Sequence, residues 1–279
     1  MDKVSTSFVQ PGVEVCTLHS AILERDLQIF VKLPWSYGQG DKTYPVLYSL
    51  DANRAFPLYS TMSLIYETPG MGSEHEIVIA GIGYSLDTDR IRGLAQWAAW
   101  RTHFLTPMPR DEINQFWQET LSKLLKGKHM DVQTGGAALF LEALREEVIP
   151  FVETSYRVSS LDRGLAGYSY GGLFGLYTLF HAPGLFTKYF TGSPSIYDEL
   201  FSYEASYAAA NADLQAQLLM TVGGLETEGL EQFQRMVDCL RVRAYPSLEL
   251  KTYVFEGEGH NSGMAASISR ALRELYYQD

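Results

Sequence analysis

Short apolar runs recur along the chain at residues 13–18, 27–33, 46–50, 77–82, 165–168, 188–191, 218–222 and 248–255. The middle and later runs are separated by stretches whose apolar positions return every three or four residues, at 137–156, 173–181, 230–244 and 262–277. The first pattern predicts strands and the second predicts amphipathic helices. Strands alternating with helices predict an α/β fold with a mostly parallel, twisted sheet of about eight strands, covered by helices on both faces. The first two runs lie close together and are expected to pair as antiparallel neighbours.

Residues 87–136 break the alternation. No clean strand occurs there, yet Trp97, Trp100, Phe104, Phe116 and Trp117 concentrate in it, and 111–126 is a candidate short helix. This aromatic-rich insertion is read as a lid or substrate wall, or equally as surface elaboration with a satellite core. No repeat, low-complexity tract or Pro/Gly/Ser linker appears, so residues 1–279 are expected to form one domain.

Composition narrows the function classes. A formal net charge of −11 argues against a nucleic-acid surface and against attraction to anionic membrane. No apolar stretch approaches the roughly 18 residues of a membrane span. The first residues lack the basic-then-apolar pattern of a leader, and two cysteines, Cys16 and Cys239, form no disulfide framework. Both features point to the cytoplasm. Oligomeric state is not legible.

The candidate chemistry centres on Gly167-Tyr168-Ser169-Tyr170-Gly171, which lies between a short apolar run and a helical pattern. This is a G-x-S-x-G nucleophile elbow, the strained strand-to-helix turn that presents a Ser hydroxyl above a sheet. Gly167 and Gly171 flank the Ser, where the tight turn is expected to leave no room for a Cβ, and Gly172 and Gly175 would let the helix start pack closely on its neighbours. A Ser nucleophile needs a base, and the base needs a carboxylate. Only His181 and His260 follow Ser169. His181 ends the elbow helix, where it faces away from the Ser. His260 sits in a Gly-rich loop after the last strand, which opens on the rim that carries the elbow. Glu226 is the first carboxylate after the penultimate strand and the first choice of acid, with Glu228 second. The Tyr170 N–H supplies one oxyanion donor, and the Ala52 N–H, after the third strand, supplies the other. Tyr168, Tyr170 and Tyr177 read as packing or pocket lining. His103 and His129 match no metal-ligand spacing, so no metal or cofactor is expected.

With these residues placed, the chain resembles the putative-esterase branch of the α/β-hydrolases, which contains siderophore, feruloyl and S-formylglutathione esterases. The matching blocks include Tyr44-Pro-Val-Leu-Tyr-Ser-Leu-Asp-Ala-Asn53, Ile77-Val-Ile-Ala-Gly-Ile-Gly-Tyr84, Glu147-Val-Ile-Pro-Phe151, the elbow, Gly192-Ser-Pro-Ser195, Val222-Gly-Gly-Leu-Glu226 and Gly257-Glu-Gly-His260. The resemblance implies the α/β-hydrolase fold and the same triad of Ser169, Glu226 and His260. Two departures stand out. Relatives carry Asp-Gly where this chain has Asp51-Ala52. Siderophore esterases carry Asp three residues after an Arg, where this chain has Phe104 after Arg101. Arg101 and Phe104 are therefore read as substrate-binding, with Arg101 meeting an anionic group or else a surface carboxylate. The expected function is hydrolysis of a small-molecule carboxylic ester through an acyl-enzyme, best matched to a siderophore or macrolactone. Small aromatic or acetyl esters, acyl transfer by the same triad, and a non-catalytic binding role are the alternatives.

Overall fold

A computed structural model describes residues 10 and 12–277. The N-terminal stretch on which the leader reading rests lies outside the described residues. Eight strands form one sheet: β1 (Val13–Ser20), β2 (Arg25–Lys32), β3 (Tyr44–Ser49), β4 (Val78–Tyr84), β5 (Val158–Tyr168), β6 (Lys188–Gly192), β7 (Ala216–Gly223) and β8 (Leu248–Phe255). Their order is β1-β2-β4-β3-β5-β6-β7-β8. Strand β2 runs antiparallel to β1 and β4, and every later pairing is parallel. The result is the α/β fold with a mostly parallel eight-stranded sheet that the strand–helix alternation predicts.

The pattern of burial explains the layers. Every residue of β4 is buried, and β7 is buried along nearly its whole length, as expected for strands covered on both sides. Alternate residues feed two separate cores. Val46, Tyr48, Leu165 and Met220 face α6 (Tyr170–His181) and α8 (Thr227–Arg243), whereas Leu47, Ala166 and Leu219 face α1 (Ala52–Tyr66) and α9 (Met264–Tyr276). At the β1 edge the burial alternates, and that strand has an exposed side.

Residues 87–136 contain two helices, α2 (Arg90–Phe104) and α3 (Asp111–Leu124), with a small core of their own. Ala95, Ala98, Ala99, Leu121, Leu125 and Val132 form it, and Trp97, Trp100 and Trp117 pack against it. Three helices, α1, α2 and α7 (Asp198–Ala210), go beyond the sequence expectation. Pro57 lies inside α1 and disguises its period. The start of α2 is capped by Asp89, whose Oδ1 accepts from the amides of Ile91 and Arg92. The helical pattern at 137–156 is α4 (Ala137–Ala143), a π turn (Leu144–Val148) and α5 (Ile149–Ser155). Pro150, at the start of α5, cannot donate to the preceding turn, and the wider π turn absorbs that gap.

The connectivity locates a site. From β3 the chain moves first to β4 on one side, then to β5 on the other. The carboxyl ends of β3 and β5 thus flank a topological switch point, where open α/β sheets form their ligand crevice. Helices α1 and α6 both begin there.

Candidate active site

Ser169 sits between the last residue of β5 and the first of α6, with φ 60° and ψ −119°. A side chain is strained in that conformation, so the surrounding contacts must hold it. The Ser169 amide donates to the Gly192 carbonyl at 2.8 Å, and its carbonyl accepts from the amides of Leu173 at 3.0 Å and Ser195 at 3.3 Å. Gly167 is obligatory: a Cβ there would lie 2.2 Å from the Gly171 oxygen. Gly172 and Gly175 allow close approach to Pro194 and Thr191, each at 3.0 Å from a built Cβ. At Gly171 the expectation is corrected, because a Cβ would meet only Leu50 and Asp51 at 3.6–3.7 Å. The elbow thus needs three of its four glycines for space.

The candidate base and the candidate acid meet. His260 Nδ1 is 2.6 Å from Glu226 Oε2. An ionised carboxylate has no hydrogen to give, so Nδ1 carries it and Nε2 keeps a lone pair. Glu226 is the N-cap residue of α8, and its Oε1 accepts from the Gly223 amide and from Ser193 Oγ, both at 2.8 Å. The loops carrying the pair are joined through their backbones. Gly224 N donates to Phe255 O and Leu225 N donates to Glu258 O, at 2.9 Å each. A Cβ on Gly223 would come within 2.5 Å of the Glu258 oxygen, which is why the acid loop opens on glycine. Glu228 lies exposed in the first turn of α8 and lines a groove of about 320 Å³ with Arg110, Ser195 and Tyr197. His181 is elsewhere: its Nδ1 is 3.0 Å from the Tyr177 carbonyl and its ring stacks on Tyr177.

The Tyr170 and Ala52 amides are the first of α6 and α1, and such amides have no acceptor within their own helix. Both helix starts present partial positive charge to the same crevice. Leu50 N donates to Ala166 O at 2.9 Å, which ties the end of β3 to β5 immediately before the two turns. Ala52 needs no glycine, because the left-handed residue is Asp51, at φ 54°, and Ala52 already lies in the helix.

Arg101 and Phe104 need correction. Arg101 is 7% exposed and spends its fork on Asp51, with Nε to Oδ1 and Nη2 to Oδ2 at 2.9 Å each. Its guanidinium also lies over the rings of Trp97 and Tyr170, at 4.9 and 5.0 Å. Burial opposes its charge, and Asp51 more than offsets that, so its pKa rises. Arg101 therefore braces the wall behind the crevice, and its partner is the part-buried carboxylate of Asp51. Phe104 is 1% exposed and packs against Tyr84 and Phe140, so it belongs to the core and lines no substrate surface.

Two further residues reach the Glu226–His260 pair without any sequence expectation of that role. The Tyr168 hydroxyl donates to the His260 carbonyl at 2.7 Å and lies 2.7 Å from Ser193 Oγ. Burial pushes the Tyr168 phenol up to about 12, so it stays protonated. The signal available in the sequence was the Tyr next to the nucleophile and the Gly192-Ser-Pro-Ser195 block, and neither states which partner it faces.

Comparison with known proteins fits this geometry. The family profile described as Putative esterase matches residues 128–269. The chain belongs to the putative esterase family. It is 28% identical to the ferri-bacillibactin esterase BesA of Bacillus subtilis, over 99% of this chain and 93% of that protein. A siderophore enterobactin esterase of Emericella nidulans is 34% identical over 61% of this chain and 54% of its own length. Among solved structures, the BES protein from Bacillus cereus superimposes with a TM-score of 0.81 and 25% identity, covering 99% of this chain and 100% of that one. Membership in this family, with these relatives, makes the protein an ester hydrolase.

Proposed function

We propose that this esterase is a serine hydrolase of siderophore or macrolactone esters, working through an acyl-enzyme on Ser169. The observation that carries the reading is the 2.6 Å contact between His260 and Glu226, on loops that border the strained Ser169 turn. The substrate class comes from the names of its relatives, esterases of ferri-bacillibactin and enterobactin.

In this mechanism Ser169 Oγ attacks the ester carbonyl and its proton passes to His260 Nε2. Glu226 holds the imidazole with Nδ1–H towards itself and stabilises the imidazolium. The tetrahedral oxyanion is received by the amides of Tyr170 and Ala52. The C–O bond to the leaving alcohol breaks as His260 returns the proton to that oxygen, which leaves an ester on Ser169. Water, deprotonated by His260, then attacks the acyl carbonyl, and the proton goes back to Ser169 as the free acid departs. The proton transfer requires a hydrogen bond from the Ser169 hydroxyl to His260 Nε2 when substrate is bound. Aromatic side chains around the nucleophile, Tyr170 bonded to Trp117 and Tyr197 under the Arg110 guanidinium, suit an aromatic acyl group.

We place the chemistry in one α/β-hydrolase domain, with residues 87–136 as a wall of the crevice. No helix among the described residues is long and apolar enough to cross a membrane. Cys16 and Cys239 are free thiols, which suits a reducing cytoplasm.

The test is a substrate panel for wild type and Ser169→Ala, pairing iron-free and ferric trilactones with feruloyl and short-chain nitrophenyl esters. Ser169-dependent preference for the trilactone supports the proposal. Preference for simple esters removes the siderophore and keeps the triad. An acylated alcohol instead of free acid, with an acceptor present, would make it a transferase.

A further inference from the structure

The loop that carries His260 needs an anchor. It runs from Gly257, at φ 76°, through Gly259 to Gly263, and such a sequence lets a ring wander. The His260 side chain is 42% exposed, so packing alone does not fix it. What reaches the His260 backbone is the Tyr168 hydroxyl, donated to its carbonyl at 2.7 Å. The Tyr168 ring also stands 5.4 Å from the imidazole, centroid to centroid, at 59°. Tyr168 is the chain neighbour of Ser169, and its backbone is the last residue of β5. One rigid side chain therefore runs from the nucleophile's own strand to the base.

Ser193 closes the circuit. It is 4% exposed, and its Oγ lies 2.8 Å from Glu226 Oε1 and 2.7 Å from the Tyr168 oxygen. Its φ of 36° lies in the left-handed region, where glycine would sit without strain. The chain keeps a serine there, and the hydroxyl is what glycine lacks. Tyr168 gives its hydroxyl hydrogen to the His260 carbonyl, so the single Ser193 hydrogen is shared between two acceptors, Glu226 Oε1 and the Tyr168 oxygen. The contacts are shared along a chain, so losing one hydroxyl disturbs the rest.

We infer that Tyr168 and Ser193 are positioning residues that lock the base loop to the acid and to the nucleophile strand, so that His260 is held for proton transfer. This rests on the proposed roles of Ser169, His260 and Glu226. Both side chains are buried, each residue 4% exposed, so their effect should fall on kcat.

The experiment compares wild type, Ser169→Ala, Tyr168→Phe, Ser193→Gly and the double variant, on the preferred ester, with thermal unfolding of each. Tyr168→Phe and Ser193→Gly should each lower kcat about tenfold or more, with KM held within about twofold, as expected when a pre-organised proton path loosens. The double variant should fall about as far as the worse single, because the hydroxyls act as one chain. Ser193→Gly also removes the positive-φ strain, so it should unfold no earlier than wild type while losing activity. Its kcat/KM should show the acid limb displaced to higher pH, since a carboxylate deprived of a donor holds the imidazolium more tightly. The inference is overturned if both single variants keep kcat within about twofold while Ser169→Ala is inactive, or if lost activity follows lost stability with no change in the pH profile. Undiminished activity in Ser169→Ala would instead overturn the serine mechanism itself.

Discussion

Arg101 grips both carboxylate oxygens of Asp51, at 2.9 Å each, one residue before the Ala52 amide assigned to the oxyanion. The same guanidinium lies over Tyr170, whose amide is the other donor. A largely buried bidentate pair is rigid, and here it connects both donors. Arg101→Ala should lower kcat about 100-fold with KM little changed, the size of effect seen when one oxyanion donor is lost. It should also cost about 3–5 kcal/mol in stability, because Asp51 is left charged and unpaired. Arg101→Ala with Asp51→Asn should recover much of the stability and none of the kcat. A rise in KM for anionic esters alone would return Arg101 to substrate binding.

Glu226 and Glu228 are two residues apart, yet only Glu226 meets His260. Glu226→Gln should reduce kcat about 10²–10⁴-fold, because the amide no longer stabilises the imidazolium. Glu228→Gln, on the exposed helix start, should stay within about threefold of wild type. Steady-state kinetics of the two variants separates the choices, and equal losses would contradict the assignment.

Away from the site, Lys32 and Glu67 form an ion pair in which both side chains are fully buried, joined by Ser63 and Tyr277. Burial lowers the Lys32 pKa and Glu67 works against that shift. Lys32→Met should cost about 3–5 kcal/mol in urea unfolding, because a buried carboxylate loses its counter-charge. Adding Glu67→Gln should restore more than half of that loss. Additive losses in the double variant would show that the pair is not coupled.

Burial holds His103 and His181 below the ordinary histidine value. Their neutral forms are favoured in the folded protein, so the unfolded chain binds protons first as pH falls. Stability should therefore decline on acidification through about 6.5 and level off below the folded values. His181→Phe, which keeps the stack on Tyr177, should flatten the dependence of Tm between about pH 7 and 5.5. An unchanged slope would show that His181 does not contribute.

The sequence made the sheet and the triad candidates legible for a physical reason. Parallel strands buried on both faces are continuous apolar runs, and the elbow and its following helix carry a local Gly pattern that few other turns need. Helix α1 was hidden by Pro57, and α2 by its burial against two layers, which leaves no single apolar stripe. Arg101 was misplaced because its partner, Asp51, lies 50 residues away and only the fold makes them neighbours. Tyr168 and Ser193 were unreadable for the same reason. Their roles depend on hydroxyl directions across three loops, and nothing in local spacing encodes those.

The most direct test of the serine mechanism is labelling with a fluorophosphonate, with the adduct located by peptide mass. The account predicts one adduct per chain, on Ser169, with labelling slowed strongly by His260→Ala because the hydroxyl then has no base. Labelling at another residue, or equal rates for wild type and His260→Ala, would contradict it.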